Sequence, residues 1–333
     1  MKSLAQVFIS WLLLLLGLLA THFAFAQCCT PGNPIGGAVN PGVSQTGIWQ
    51  LFVGYRYGYS GEYFEESQPI EAYFVASGAF QHLSLAMTYG LSERLTLEAE
   101  SGYFLAKTQA FVPGILPASL RGVGFTDLNI LARINLWQNP ISGWELTSAL
   151  GFKLPLGSYQ QTQDGILLPR DLQPSTGSMD ALHTVFLQKV FLAQKFRLFA
   201  LSRLEWKGQN PDQYRYGHFW SLGAFASYSP HFRWTLVAQL RNEWRGRDSR
   251  PLTGQGIPIG NGREQIIPTG SNRLYASPQI GFEASPRLQL TALVDLPLYQ
   301  RYNGQQLGTS FGLWLNLRYI WADSRTSNPI GDR

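Results

Sequence analysis

Cysteine is almost missing from this 333-residue chain, and the two present, Cys28 and Cys29, stand side by side near the N-terminus. No disulfide framework can therefore staple the body of the protein. Two thiols with no histidine or further cysteine beside them are too few for a closed zinc site, which leaves Cys28 and Cys29 as weak metal candidates. Charge is also scarce: Asp, Glu, Lys and Arg make up 14% of the residues, for a net +5 without a basic run, and this gives a nucleic-acid partner no support. Long apolar runs are lacking beyond the first two dozen residues. Every later hydrophobic stretch is broken by Arg, Glu, Gln, Asn or Gly, so none reaches the roughly 20 residues a membrane-crossing helix needs.

What is present begins at the N-terminus. Lys2 precedes an apolar run from Val7 to Ala20, and Ala24-Phe25-Ala26 follows at once. This is the layout of a cleaved export signal, so residues 1–26 are expected to be a signal peptide. A lipoprotein would need an aliphatic and small-residue pattern before the cysteine, which Phe25-Ala26-Gln27 does not supply. Aromatics and glycine are plentiful (10 Trp, 15 Tyr, 20 Phe, 34 Gly), while mean hydropathy is near neutral at −0.08. That combination suits strands with one lipid-facing side and one polar side.

Period-two alternation is the dominant signal. Phe311, Leu313, Leu315, Leu317, Tyr319 and Trp321 share one face, with Gly312, Trp314, Asn316 and Arg318 on the other. Leu288 to Leu298, Trp234 to Leu240 and Leu128 to Leu136 repeat the stripe. Weaker copies complete twelve expected strands: 47–59, 74–90, 94–104, 123–137, 143–155, 180–192, 196–207, 218–229, 232–244, 273–284, 287–299 and 309–321. Most run to about ten residues or more, as a tilted membrane-crossing strand requires, against about five or six for soluble strands.

The connections alternate. Short turns at 91–93, 138–140, 193–195, 229–231 and 284–286 interleave with long links at 60–73, 105–122, 156–179, 208–217, 245–272 and 300–308. Short periplasmic turns and long outer loops mark bacterial outer-membrane barrels. An unpaired strand edge is untenable in hydrocarbon, so the sheet must close. The fold expected is an all-β transmembrane up-and-down antiparallel barrel over 47–321. A periplasmic segment, 27–46, precedes it and is placed to tuck into the lumen as a partial plug. A periplasmic tail, 322–333, follows. The longest loop, 245–272, is read either as solvated surface or as a lid over the mouth.

The polar face carries the functional candidates. Arg133, Arg203, Glu205, Arg233, Arg241, Glu243 and Arg318 all fall on it, with Glu98, Glu100, Glu145, Arg197, Asp127 and Lys153. Arg203 with Glu205 and Arg241 with Glu243 sit two apart, so opposite charges can pair laterally between strands. Either these groups fill the interior as a pairing lattice, or they form an ion-selective or solute-guiding constriction. With Lys153 the basic residues, mostly arginine, slightly outnumber the acids on that face, which favours weak anion preference. An outer-membrane hydrolase is the rival class. Yet none of His82, His183, His218 and His231 lies in a G-x-S-x-G or H-E-x-x-H context, so no catalytic residue is assigned. A structural or adhesive barrel without transport is the other alternative. No cofactor is expected.

Three phrases carry a family resemblance: Tyr89-Gly90-Leu91-Ser92-Glu93-Arg94-Leu95, Gly122-Val123-Gly124-Phe125-Thr126-Asp127-Leu128 and Lys153-Leu154-Pro155-Leu156-Gly157. The first resembles a recurrent periplasmic turn, the second a Gly-x-Gly-Asp strand start and the third a Lys-x-Pro-x-Gly strand exit. Together they resemble the outer-membrane transporters grouped with meta-pathway phenol degradation, in a Bacteroidota-like form. Phe125 and Thr126 depart from that pattern by separating Gly124 from Asp127. The chain also continues past Trp321 instead of ending on an aromatic. The resemblance implies an outer-membrane channel or transporter for small, hydrophobic solutes. The partners implied are the lipid bilayer, lipopolysaccharide, the barrel-assembly machinery and the solute.

Overall fold

The computed structural model describes residues 42–71, 75–114, 117–191 and 195–322. The expected signal peptide, Cys28, Cys29 and the tail beyond Ala322 lie outside the described residues.

Twelve antiparallel strands follow one another around a ring. They are β1 (Ile48–Ser60), β2 (Val75–Ser92), β3 (Leu95–Phe111), β4 (Ser119–Phe125 continued by Leu128–Asn139), β5 (Trp144–Leu154) and β6 (Asp180–Phe191). Then come β7 (Phe196–Trp206), β8 (Phe219–His231), β9 (Trp234–Arg245), β10 (Ser271–Ala276 continued by Gln279–Ser285), β11 (Leu288–Gly308) and β12 (Phe311–Ala322). Each pairs with its sequence neighbour, and β12 returns to β1 from Ile48↔Ala322 to Tyr59↔Phe311. The sheet is closed, so no strand edge faces hydrocarbon.

The alternation does what the pleat dictates. Leu290, Leu315, Leu236 and Ile134 point outward and stand exposed, while Gln289, Arg318, Thr235 and Arg133 point inward and are buried. A soluble protein could not leave such a continuous apolar girdle in water. Here acyl chains cover it. Trp206, Trp220 and Trp244 crown its outer end on β7, β8 and β9. Trp49 and Trp321 stack at the inner end with ring centroids 6.1 Å apart.

Several strands outrun the expected spans. β3 continues to Phe111 and pairs with Ser119–Phe125, and β11 continues to Gly308 and pairs with Glu62–Glu66. Above the membrane both faces meet water, so the hydrophobic alternation that marks a strand fades there although the ladder continues. Pro278 interrupts β10 because it has no N–H to give. Ser277 N–H still reaches Gln239 O at 2.9 Å across the break.

The β8–β9 turn corrects the expected position. Pro230 sits in an irregular step of the ladder between Tyr228 and His231, so the strand runs on and the chain reverses at Phe232-Arg233. Arg233, expected on the lumen wall, is therefore exposed in a turn with its guanidinium 5.3 Å from the Phe232 ring centroid.

Two segments lie against the inner wall. Near the periplasmic end, Ser44 N–H donates to Thr96 Oγ1 at 2.7 Å, and Gln50 Nε2 donates to Ser44 Oγ at 2.9 Å. Gly90 makes room: a Cβ there would fall 1.9 Å from Gln45 O. At the outer end the 156–179 loop folds back. Its one-turn 3-10 helix, Arg170–Leu172, buries Leu168 and Leu172 against Leu120 with Phe111. Gly122 is required at that contact, since a Cβ would meet Leu172 O at 2.0 Å.

Candidate functional site in the barrel lumen

Inward-facing positions divide into three levels along the barrel. Toward the periplasm the wall is polar, with buried Gln50, Thr88, Thr96, Thr235, Gln289 and Arg318. At mid-height it turns apolar on one side: Phe186, Phe199, Leu201, Phe225 and Val237 form one buried cluster across β6 to β9. Phe199 and Phe225 face each other in register and stack with centroids 4.4 Å apart.

The outer level holds the charges, in two networks. In one, Asp295 of β11 accepts from Arg241 Nη2 at 2.9 Å, from Trp314 Nε1 at 2.8 Å and from Ser277 Oγ. Arg241 Nε lies 3.1 Å from Glu243 Oε1, and Arg273 Nη2 lies 3.1 Å from Glu243 Oε2. Beside them the Arg56 guanidinium sits 4.0 Å from the Trp314 ring centroid and 5.1 Å from that of Phe80. Burying such charges is costly, and only this density of counter-charge and hydrogen bonds offsets it.

The second network joins the wall to the infolded loop. Lys153 Nζ lies 2.6 Å from Asp180 Oδ2 and 3.0 Å from Asp127 Oδ2. Lys207 Nζ lies 3.1 Å from Asp180 and 2.5 Å from Glu205, and Arg203 Nε lies 2.8 Å from Glu205. Loop residues dock on these carboxylates. Thr176 and Ser175 hydroxyls donate to Asp127, and Ser178 Oγ donates to Asp180 at 2.9 Å. Lys107 Nζ adds a bond to Gln173 O at 2.9 Å. Lys207 lies just past the end of β7; burial opposes its charge, but Glu205 and Asp180 raise its pKa above the usual lysine value.

The expected site residues thus separate. Arg203 with Glu205 and Arg241 with Glu243 do meet, but along one strand and not laterally between strands. Arg133 is buried against Glu98, Arg318 is buried at the periplasmic level, and Arg233 is away in its turn. Six charged contributors escaped the sequence reading: Asp180, Asp295, Arg56, Lys207, Arg273 and Lys107. Asp295 stood on the polar face of a recognised stripe. Its role depends on Arg241, two strands away, and period-two patterning says nothing about such partners.

Ser148 Oγ and His183 Nε2 are 3.0 Å apart, but both lie on the lipid-facing side of β5 and β6. Among the described residues no carboxylate or amide bonds the other ring nitrogen to orient it, as a nucleophile–base pair requires. Among the described residues there is also no group of three or more His, Cys, Asp or Glu able to hold a metal ion.

The family described as "Putative MetA-pathway of phenol degradation" matches residues 89–317, from β2 to β12. The chain belongs to that family. No curated protein matches it. Among solved structures it is similar to an outer membrane channel from Pseudomonas putida F1, with 15% identity, 85% of this chain and 98% of that chain covered, and a TM-score of 0.65. A Pseudomonas aeruginosa FadL homologue aligns at 11% identity over 89% of this chain and 96% of that one, with a TM-score of 0.43. The toluene transporter TbuX of Ralstonia pickettii aligns at 10% identity over 83% and 90%, with a TM-score of 0.41. The first likeness shows a shared fold. The other two are too distant to carry an argument. Fold and family together make this protein an outer-membrane β-barrel.

Proposed function

We propose that this barrel passes small hydrophobic solutes, phenol-like aromatics foremost, across the outer membrane through a lumen that is closed at rest. The observation that carries this reading is the lumen wall itself. A stacked aromatic cluster lines the wall across β6 to β9, and on the facing wall the Arg56 guanidinium of β1 lies over the Phe80 and Trp314 rings. An aromatic solute can exchange ring–ring and cation–ring contacts with such a wall at little cost, since each is worth about 0.5–1.5 kcal/mol. Water and ions gain nothing comparable there. The family description, which concerns phenol degradation, agrees with that solute class.

Closure at rest follows from size. Twelve strands lie between small barrels filled by side chains and wide aqueous porins, and most inner residues of the three levels are buried. Passage therefore needs the 173–178 segment to leave its dock on Asp127 and Asp180. The barrel-assembly machinery and lipopolysaccharide are the further partners this reading requires.

The test is uptake of radiolabelled phenol and benzoate by a Gram-negative host lacking its own porins, with and without the barrel. Uptake above the control, with no gain for a sugar of similar size, supports the reading. Equal uptake with and without the barrel overturns it.

A further inference from the structure

The outer loops carry a second site that lies outside the lumen. The Ile257–Gly260 and Arg263–Gln265 strands, paired together, lean over the upward extension of β8 and β9. Two adjoining clefts form there. One, of about 470 Å³, is lined by Arg215, Arg263, Gln209, Gln213 and Ile259 among others. The other, of about 190 Å³, shares Arg215 and Ile259 and adds Arg247, His218, Tyr216 and Trp244. No carboxylate lines either cleft.

Position in the pleat says what the smaller cleft faces. Glu243 and Arg245 flank Trp244; Glu243 is buried inward, and Trp244 is 45% exposed on the opposite side. Trp220, its cross-strand partner, is exposed likewise. Both belong to the aromatic belt at the outer membrane–water interface. With Trp244 in its lining, the smaller cleft reaches the lipid-facing side of the wall at the aromatic belt, where lipid headgroups lie.

The charge there is uncompensated. The nearby carboxylates are already satisfied: Asp248 by Arg245, Tyr214 and the Gly217 N–H, and Glu264 by Arg250, Thr253 and two backbone N–H groups. Among the described residues neither Arg215 nor Arg247 has a salt-bridge partner, and Arg263 bonds only to Gln213 and Ser249 oxygens. The Nε atoms of Arg247 and Arg263 are buried without a hydrogen-bond partner. Burial and the neighbouring Arg215 both hold the Arg263 guanidinium below its usual pKa. Arg215 lines both clefts, beside Arg263 in one and Arg247 in the other, so three guanidinium groups adjoin with no acid in the lining, a charge that an anion would offset. Forked guanidinium donors suit phosphate oxygens best.

We propose that Arg215, Arg247 and Arg263 form a binding site for a phosphate group on the headgroup of an outer-leaflet lipid, with Trp244 packing on that lipid below the phosphate. The proposal needs the long loops to face outward but does not depend on what the lumen transports. Its role is to anchor the 245–272 hairpin to the surrounding leaflet.

The experiment uses the full mature barrel purified in detergent, followed by native mass spectrometry with added bisphosphorylated lipid A, its dephosphorylated form, or inorganic phosphate. The expected result is retention of the phosphorylated lipid alone. Removing two of the three charges in Arg215→Gln/Arg247→Gln should weaken retention roughly 30-fold, at about fivefold per juxtamembrane arginine. Arg247→Lys, which keeps the charge, should lose far less. Heat-modifiable gel mobility confirms that each variant is folded. Equal retention of the dephosphorylated lipid, or unchanged retention by the double variant, overturns the site. Displacement of the lipid by millimolar inorganic phosphate would instead identify a free-anion site and overturn the headgroup assignment.

Discussion

Lys153 and Asp180 form a buried ion pair of 2.6 Å at the outer end of the β5–β6 wall, and the same Asp180 oxygen lies 3.1 Å from Lys207 Nζ. Asp180 also receives Ser178 Oγ and the Gly208 N–H, so one carboxylate ties two outer loops to the wall. Removing the charge leaves two buried ammonium groups with one carboxylate each, Asp127 for Lys153 and Glu205 for Lys207. Breaking such a pair from one side typically costs about 3–5 kcal/mol. Here the loop can yield before the barrel does. Asp180→Asn is therefore expected to raise channel open probability severalfold in planar bilayers while the protein keeps its folded gel mobility. Unchanged gating in a folded variant would show that the 173–178 segment is not the gate.

Register gives a sharper contrast. Leu315 faces acyl chains and its chain neighbour Asn316 faces the lumen beside Gly54. Leu315→Arg should cost roughly 2–4 kcal/mol in refolding equilibria, as cationic groups do at mid-bilayer depth, and Asn316→Arg distinctly less. Equal losses would mean that the strand is turned the other way.

That contrast could be drawn from the sequence because acyl chains impose a strict rule on every second residue. Leu290, Leu315 and Leu236 obey it, and so the strand count and facing were legible. The rule ends at the headgroups, which is why the extensions of β3 and β11 were read as loops. The lumen was harder. Arg241 and Glu243 were recognisable as a pair two apart. Their meeting with Asp295, and the docking of Ser175 and Thr176 on Asp127, depend on which strands face each other across a closed ring and on a loop that turns inward. Arg233 was misplaced for a local reason: the irregular step at Pro230 moved the turn past it.

Asp295 and Arg241 provide a direct measure of the lattice. Arg241→Gln and Asp295→Asn should each cost up to about 3–5 kcal/mol, because each removes a counter-charge from a buried network in which Arg241 also meets Glu243. The double variant should cost less than the sum of the singles, since contacting groups couple. Urea unfolding in detergent micelles reads all three. Additive losses would separate the two residues energetically despite their 2.9 Å contact.

The 245–272 loop carries its own pH dependence. Hydrogen bonds from Thr253, then Arg250 and the backbone, hold the solvent-inaccessible Glu264 carboxyl down to about 2. A depressed carboxyl stabilises the fold fully above the unfolded value, about 4.3, and that contribution fades as pH falls toward the folded one. The hairpin around Glu264 should therefore be intact at neutral pH and open progressively below about pH 4. Pepsin cleavage within 249–265, scanned from pH 4 downward, checks this, with Glu264→Gln expected to be cut at all these values alike. Resistance of the native hairpin down to pH 2 would contradict the assignment.

Charge selectivity is the most exposed expectation, because sequence and structure pull it in different directions. An arginine-rich inner face favours anions. In the folded barrel Arg133 meets Glu98, Arg203 meets Glu205, Arg241 meets Glu243 and Asp295, and Arg233 has left the wall for a turn. Paired charges cancel at distances beyond their own separation, and salt screens what remains. The open channel should therefore show a reversal potential near zero in a salt gradient. Arg241→Gln then removes one of the three guanidinium groups, Arg56, Arg241 and Arg273, gathered around two carboxylates, which takes the local balance from positive to neutral. The reversal potential should move toward cation preference, most clearly at low salt. A pronounced anion preference in the native channel, or a shift toward anions in the variant, would mean that these pairs come apart when the lumen opens and that unpaired arginines then govern permeation.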